Sequence, residues 1–478
     1  MNTDTGHHEG SLHAGAPAPQ APLPGLLWAP WAWVGGQWLP QVLLRVGPKG
    51  QWAEVQPHTL PPPRAERLAG PVLPGLVCAH SHAFQRAFVG LAERRDSASD
   101  DFWSWRDRMY RVALRITPAQ LRAIAEHLYG ELLAGGYTQV CEFHYLQHRE
   151  DGSAYAEPAE LALALADAAA STGLGLTLLP VLYERAGFAQ PELRPDQRRF
   201  ATNAASVLAL QQAVQARARQ RGEGLLSAGV AVHSLRAARP ESISALAESS
   251  SGPLHIHVAE QMAEVNDCLA STGQRPIAWL LQQQALDARW QLVHATHTVP
   301  AEVDGVAATG AGMVVCPGTE ANLGDGLCDW PRWLASGTPL SVGSDSQVTR
   351  SWPEELRWLD YGQRLALQQR NVSAAPGTQP ATAARLFERL LAGGAAAAGL
   401  GPTGLQPGAR ADLLVVNAQD SALRGLPASH TLDGLVFGAP ARPFERVMVA
   451  GRWAVLHDEA RAQRFESVMR QLWGDGAG

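Results

Sequence analysis

From about residue 70 the chain alternates short apolar runs with longer stretches whose apolar residues recur at helical spacing. The runs are Val72–His82, Thr138–Tyr145, Leu174–Tyr183, Ala228–Leu235, Pro253–Ala259, Gln291–His297, Gly312–Pro317 and Pro339–Ser344. Val, Leu and Ile dominate them, as in strands covered on both faces. Between them Thr117–Ala134, Pro158–Thr172, Asn203–Arg221, Pro240–Ser249 and Ala263–Gln284 read as helices. Thr117-Pro118 is a cap followed by proline at the first helical position. Eight such units over about 270 residues predict an α/β fold, a (β/α)₈ barrel. The alternative is an open doubly wound sheet, but no Gly-x-Gly-x-x-Gly follows the first run.

The flanks have a different texture. Residues 25–69 are rich in Trp and Pro, with strand-like pieces at Trp31–Val34 and Gln41–Val46. After Leu400, Gly408–Val416 and Arg446–Val449 also read as strands. Two β-rich flanks around one barrel predict a small discontinuous β-sandwich domain. The expected division is therefore a disordered tail (1–24), a β domain (25–70 plus 401–478) and a catalytic barrel (71–400).

Composition narrows the possibilities. The chain has 478 residues, 46% hydrophobic and 18% charged, which suits a large globular core. A net charge of −6 gives no basic surface for nucleic acid. Five cysteines without a Cys-x-x-Cys pair argue against a disulfide scaffold or thiolate zinc site and fit a reducing compartment. No apolar segment is long enough to span a bilayer. The first 24 residues lack the basic start and apolar stretch of a signal peptide, so a cytoplasmic location is expected. Lys49 is the only lysine and lies outside the barrel, which excludes a carboxylated lysine bridging two metals.

Active sites of such barrels gather at the C-terminal ends of the strands. The first run ends in His80-Ser81-His82, where alternation brings both imidazoles to one face. Later runs end in Glu142-Phe143-His144-Tyr145, His233-Ser234-Leu235-Arg236, His255-Ile256-His257-Val258-Ala259-Glu260, His294 with His297, and Ser344-Asp345-Ser346. That concentration of histidines predicts one divalent metal, with a position left for water. His80, His82 and a histidine of the fifth strand would supply neutral ligands, and Asp345 would lower the charge. His255 and His257 compete for the fifth-strand role. His257 is preferred because Glu260 follows it and would bring an acid/base carboxylate just beyond the metal. His255 would then be a packed histidine one layer deeper.

Pro74–His82, His257-Val258-Ala259-Glu260, His294 and Ser344-Asp345-Ser346 resemble the amidohydrolase superfamily in its mononuclear, deaminase-like branch. The resemblance covers nearly the whole chain. More narrowly, His82–Ala87, Phe102–Arg106, Glu142–Tyr145 and His233–Arg236 resemble the formimidoylglutamate deiminases. The resemblance implies zinc on His80, His82, His257 and Asp345, with Fe²⁺ or Mn²⁺ as alternatives. It implies proton transfer by Glu260 and His294 together with Asp345, and substrate contacts from Gln85, Arg106, Tyr145, His233 and Arg236. It also implies hydrolysis of N-formimino-L-glutamate to N-formyl-L-glutamate and ammonia in histidine degradation, and a homodimer. The residues suit that dicarboxylate substrate, because arginine holds a carboxylate with two parallel hydrogen bonds. The rival expectation is a deaminase of guanine, cytosine or an adenosine derivative, for which two such arginines have no use.

Overall fold

The computed structural model describes residues 25–95, 102–222 and 224–474. The expected N-terminal tail lies outside these described residues. Eight parallel strands form the barrel: β1 (Leu76–Ser81), β2 (Tyr137–His144), β3 (Gly175–Leu182), β4 (Val230–Ser234), β5 (Leu254–Val258), β6 (Trp290–His294), β7 (Gly312–Val315) and β8 (Leu340–Val342). Each pairs with the next, and β8 pairs with β1 through Val342 and Cys78. The ring closes where Ala231 and Val232 of β4 face Val181 and Leu182 of β3. Every residue of these strands is buried, which explains why they read as continuous apolar runs rather than alternating ones.

The helices follow from local signals. The helix Pro118–Ala134 starts at Thr117, whose hydroxyl accepts the Gln120 N–H in a reciprocal capping box. The single helix expected over 263–284 is two, Met262–Thr272 and Pro276–Gln283. Gly273 takes a left-handed φ of 75° and Pro276 restarts the chain, so the first helix cannot run on. The run from Ala228 is likewise preceded by a short strand, Leu226–Ala228, which joins β4 through Gly229. Two helices, Trp352–Leu367 and Thr382–Ala397, follow β8. The second packs across β8 and β1. Its Gly393 lies so close to β8 that a Cβ there would collide with the Leu340 backbone.

The expected flanking β domain is one eight-stranded sheet with a core of its own, which includes Leu27, Val42, Trp52, Ala411 and Leu413. The sequence run beginning at Val72 splits at Pro74-Gly75. Val72–Leu73 belongs to the flanking sheet, paired with Ala32 on one side and with Leu414 and Val415 on the other. It joins the N- and C-terminal flanks and then feeds directly into β1. The C-terminal flank also holds helices, Thr431–Phe437 and Glu459–Trp473, whose Leu432, Leu435, Val468 and Leu472 enter the main core. Among the described residues no helix is long and apolar enough to cross a membrane.

Gly393→Ala is expected to lower unfolding stability by about 1–3 kcal/mol or more, because the obstacle is backbone that cannot rotate away. An unchanged denaturant midpoint would contradict this close approach of helix to strand.

Candidate active site

The strand ends bring four donor side chains together. His80 is on β1, His82 just beyond it, His257 on β5, and Asp345 just beyond β8. The backbone ties His80, His82 and Asp345 to one another directly. His82 N–H donates to the Asp345 carbonyl at 3.1 Å, and Asp345 N–H donates to the His80 carbonyl at 3.0 Å. Asp345 has φ 47°, and Ala259, His294, Ala295 and Gln347 are also left-handed. Such conformations cost of order 1–2 kcal/mol each in non-glycine residues, and here they gather where strands turn into the mouth.

The Nε2 atoms of His80 and His82 lie 3.2 Å apart, and those of His257 and His80 lie 2.9 Å apart. Asp345 Oδ1 is 3.4 Å from His80 Nε2 and 3.3 Å from His82 Nε2. His82 Nδ1–H donates to the Phe143 carbonyl at 2.9 Å, so its Nε2 turns a lone pair into the cluster. Burial holds all three histidines neutral: His80 is pushed down to about 3, and His82 and His257 also fall. Burial works to raise the Asp345 carboxyl, but the His80, His294 and His82 imidazoles hold it well below its usual range. Three crowded nitrogen lone pairs and an ionised carboxylate cannot satisfy one another by hydrogen bonds alone. The donor set fits a divalent cation.

Beside this cluster lies a second, acidic one. His294 Nε2 is 3.6 Å from Glu260 and 3.8 Å from Asp345, while its Nδ1 is 3.3 Å from Glu320. Burial opposes a charged imidazole, but Glu260, Glu320 and Asp345 together raise His294 to about 10. Glu260 moves upward through burial. This pair can therefore hold or pass a proton at neutral pH. Asp325, buried and raised by burial and by Glu260, completes the group.

Two arginines also line the pocket. Arg236 Nη1 and Arg106 Nε are buried without a hydrogen-bond partner. The Arg106 guanidinium lies 4.5 Å from the Trp103 ring centroid, and that of Arg236 lies 5.4 Å from it. Arg106 comes from the helix Phe102–Ala113, which covers the mouth. Glu264, 3.8 Å from Arg236, is its nearest counter-charge. In the same pocket, Gln85 Nε2 donates to the Tyr145 hydroxyl at 3.1 Å, and His233 lies 5.2 Å from His257, centroid to centroid.

The structure thus brings every site residue expected from sequence to one end of the barrel. His255 stands apart, with Nε2–H donating to the Ala397 carbonyl at 2.8 Å. His297 is only half-buried and lies outside the cluster. Sequence reasoning missed Glu320 and Asp325. Both follow β7, whose end offers no histidine, and Glu320 arrives only through the helical turn Pro317–Leu323. Trp103 stood in an aromatic motif, but its place between two arginines depends on the fold.

The profile of the amidohydrolase family matches residues 72–454. The chain belongs to the amidohydrolase family. That family is metal-dependent, in keeping with the donor cluster. This amidohydrolase is 45% identical over 442 residues to formimidoylglutamate deiminase of Pseudomonas aeruginosa, covering 91% of this chain and 96% of that protein. It is 29% identical to 8-oxoguanine deaminase of the same organism, over 80% of this chain and 82% of the relative. A crystal structure of an amidohydrolase from Brucella melitensis, 38% identical, superposes with a TM-score of 0.88 over 94% of this chain and 99% of that one. This amidohydrolase is accordingly a homologue of formimidoylglutamate deiminase.

His257→Ala in this amidohydrolase should purify with less than about a tenth of the metal bound by the unaltered chain, since one of three neutral ligands is lost. Metal at full occupancy in the variant would refute the ligand set.

Proposed function

We propose that the protein hydrolyses N-formimino-L-glutamate to N-formyl-L-glutamate and ammonia. The observation that carries the substrate is the pair of arginines lining the pocket with Glu260, His294 and Asp345: Arg236 is buried and Arg106 largely so, and each has a buried N–H group without a hydrogen-bond partner. A buried guanidinium N–H without an acceptor is costly unless a ligand supplies one. Two of them suit a molecule with two carboxylates. The acidic groups suit a cationic formimino end. The identity to formimidoylglutamate deiminase supports the same reading.

His80, His82, His257 and Asp345 would hold one divalent ion, zinc from its preference for imidazole and carboxylate donors, with Fe²⁺ or Mn²⁺ as alternatives. When bound, it supplies Lewis acidity that brings the pKa of water toward about 7. Asp345 takes the proton as water attacks the formimino carbon, and the charged His294 beside it steadies the negative charge that develops. A tetrahedral intermediate forms, and Glu260 passes a proton to its terminal nitrogen. That C–N bond breaks, ammonia leaves, and the carbon becomes a formyl group. Arg106 and Arg236 hold the glutamate carboxylates, while Gln85, Tyr145 and His233 fix the formimino group. The enzyme acts in histidine degradation in the cytoplasm, as a homodimer.

The test is ammonia release by metal-quantified protein from N-formimino-L-glutamate, beside guanine, 8-oxoguanine and cytosine. Release from the first alone, lost on chelation, is expected; release from a nucleobase alone would overturn the substrate. Arg236→Ala should raise KM about 10- to 100-fold, the loss of a charge-assisted hydrogen bond of about 1.5–3 kcal/mol. An unchanged KM would remove Arg236 from the carboxylate site.

A further inference from the structure

Glu264 belongs to the helix Met262–Thr272 and is fully buried behind the pocket, with no part in the proton transfers above. Its Oε2 accepts the Glu260 N–H at 3.3 Å and lies 3.8 Å from Arg236 Nη1, beyond hydrogen-bond reach. Glu264 Oε1 and Arg236 Nη1 are both buried without a hydrogen-bond partner. Arg236 is therefore not clamped to this neighbour. Its guanidinium is seated by aromatic rings, 5.4 Å from the Trp103 centroid and 5.9 Å from that of Phe102. The bond to Glu260 gives the helix a start that the side chain of Gln261, at the cap position, does not supply. A glutamine at position 264 could serve that start equally well, because its amide oxygen accepts the same N–H. It would also avoid the cost of burying a charge. Burial raises the Glu264 carboxyl, and Arg236 and the Glu260 and Ala259 N–H groups oppose that rise. The charge needs a reason beyond the helix start, and the cation it faces is Arg236.

We propose that Glu264 weakens the hold of Arg236 on carboxylates, so that the product leaves once its cationic end is gone. This rests on N-formimino-L-glutamate being the substrate. In its hydrolysis the oxygen of water becomes the formyl oxygen, and the two hydrogens of water leave with the terminal nitrogen as ammonium. The positive charge departs with that nitrogen, so the organic molecule passes from one net negative charge to two. The substrate is held at both ends, its carboxylates by Arg106 and Arg236 and its cation beside Glu260 and Asp345. The product keeps only the arginine end. Charge-assisted hydrogen bonds from arginine to carboxylate are strong, and on their own they would retain a dicarboxylate product. An anion 3.8 Å from Arg236 offsets part of that attraction for substrate and product alike. The substrate recovers the difference through its cationic end, and the product has none. The weaker grip therefore acts chiefly on release, where tight uniform binding would slow turnover.

The test is calorimetric titration of the full-length, metal-loaded chain with glutarate and with N-formyl-L-glutamate. Glu264→Gln removes the charge and keeps the acceptor for the Glu260 N–H. It should bind both dicarboxylates at least about tenfold tighter than the unaltered chain, because a charge at this range is felt even at a high effective dielectric. Glu264→Asp, which keeps the charge, should not. In turnover, Glu264→Gln should lower KM and strengthen inhibition by N-formyl-L-glutamate, whereas simple damage to the pocket would raise KM. If Glu264→Gln does not fold, Glu264→Met, of nearly the same volume, takes its place. Unchanged or weaker dicarboxylate binding in the folded neutral variant overturns the proposal. Equal tightening in Glu264→Asp shows that the charge is not the cause and overturns it too, as does failure of both neutral variants to fold, which makes Glu264 a structural anchor. Ammonia release from N-formimino-L-glutamate with glutarate affinity unchanged in the variant discards the role of Glu264 alone. Tighter glutarate binding without any ammonia release discards the substrate and leaves the effect of Glu264 on Arg236 standing.

Discussion

Three neutral imidazole nitrogens and a carboxylate oxygen are held within about hydrogen-bond distance of one another in a buried site, where no arrangement of their own protons satisfies them all. The fold spends considerable local order on keeping them there. The backbones of β1 and the segment after β8 are joined by reciprocal hydrogen bonds at His80, His82 and Asp345. Left-handed residues turn the ends of β5, β6 and β8 inward. The short strand Val72–Leu73 ties the start of β1 to the flanking sheet, and Gly393 lets a helix clamp β1 and β8 from outside. A cation bound there would relieve the crowding of donors. The rest of the site is arranged around it.

The pocket gathers charge of both signs. Glu260, Glu320 and Asp345 surround His294, while the Arg106 and Arg236 guanidinium groups both lie over the Trp103 ring. Two guanidinium groups meet at one indole, with Glu264 3.8 Å from Arg236 and the largely exposed Asp107 3.6 Å from Arg106 in partial compensation. Groups of both signs in one pocket suit a molecule that carries both carboxylates and a cation. A neutral base would leave the buried Arg236 Nη1 and Arg106 Nε without acceptors, at a cost of about 1–3 kcal/mol each.

Much of this was legible in the sequence, because barrel strands buried on both faces carry their own apolar signature and because alternation places His80 and His82 on one side. The lone lysine at Lys49 likewise spoke against a bridged pair of metals before any geometry was known. The misreadings have local causes. Pro74-Gly75 cut an apolar run into two strands of different sheets, and Gly273 with Pro276 cut one helical pattern into two helices. Glu320 was hidden because it reaches His294 from a helical turn rather than a strand end, so no strand periodicity points to it. Which arginine nitrogens lack partners, and which aromatic ring two arginines share, depends on packing between elements far apart in sequence.

The central claim is a single cation held by His80, His82, His257 and Asp345, and stoichiometric reloading tests it most directly. Chelated, metal-free protein titrated with zinc should recover ammonia release linearly and reach its plateau at one ion per chain. A plateau reached only at two ions per chain, or full activity without any, would contradict it.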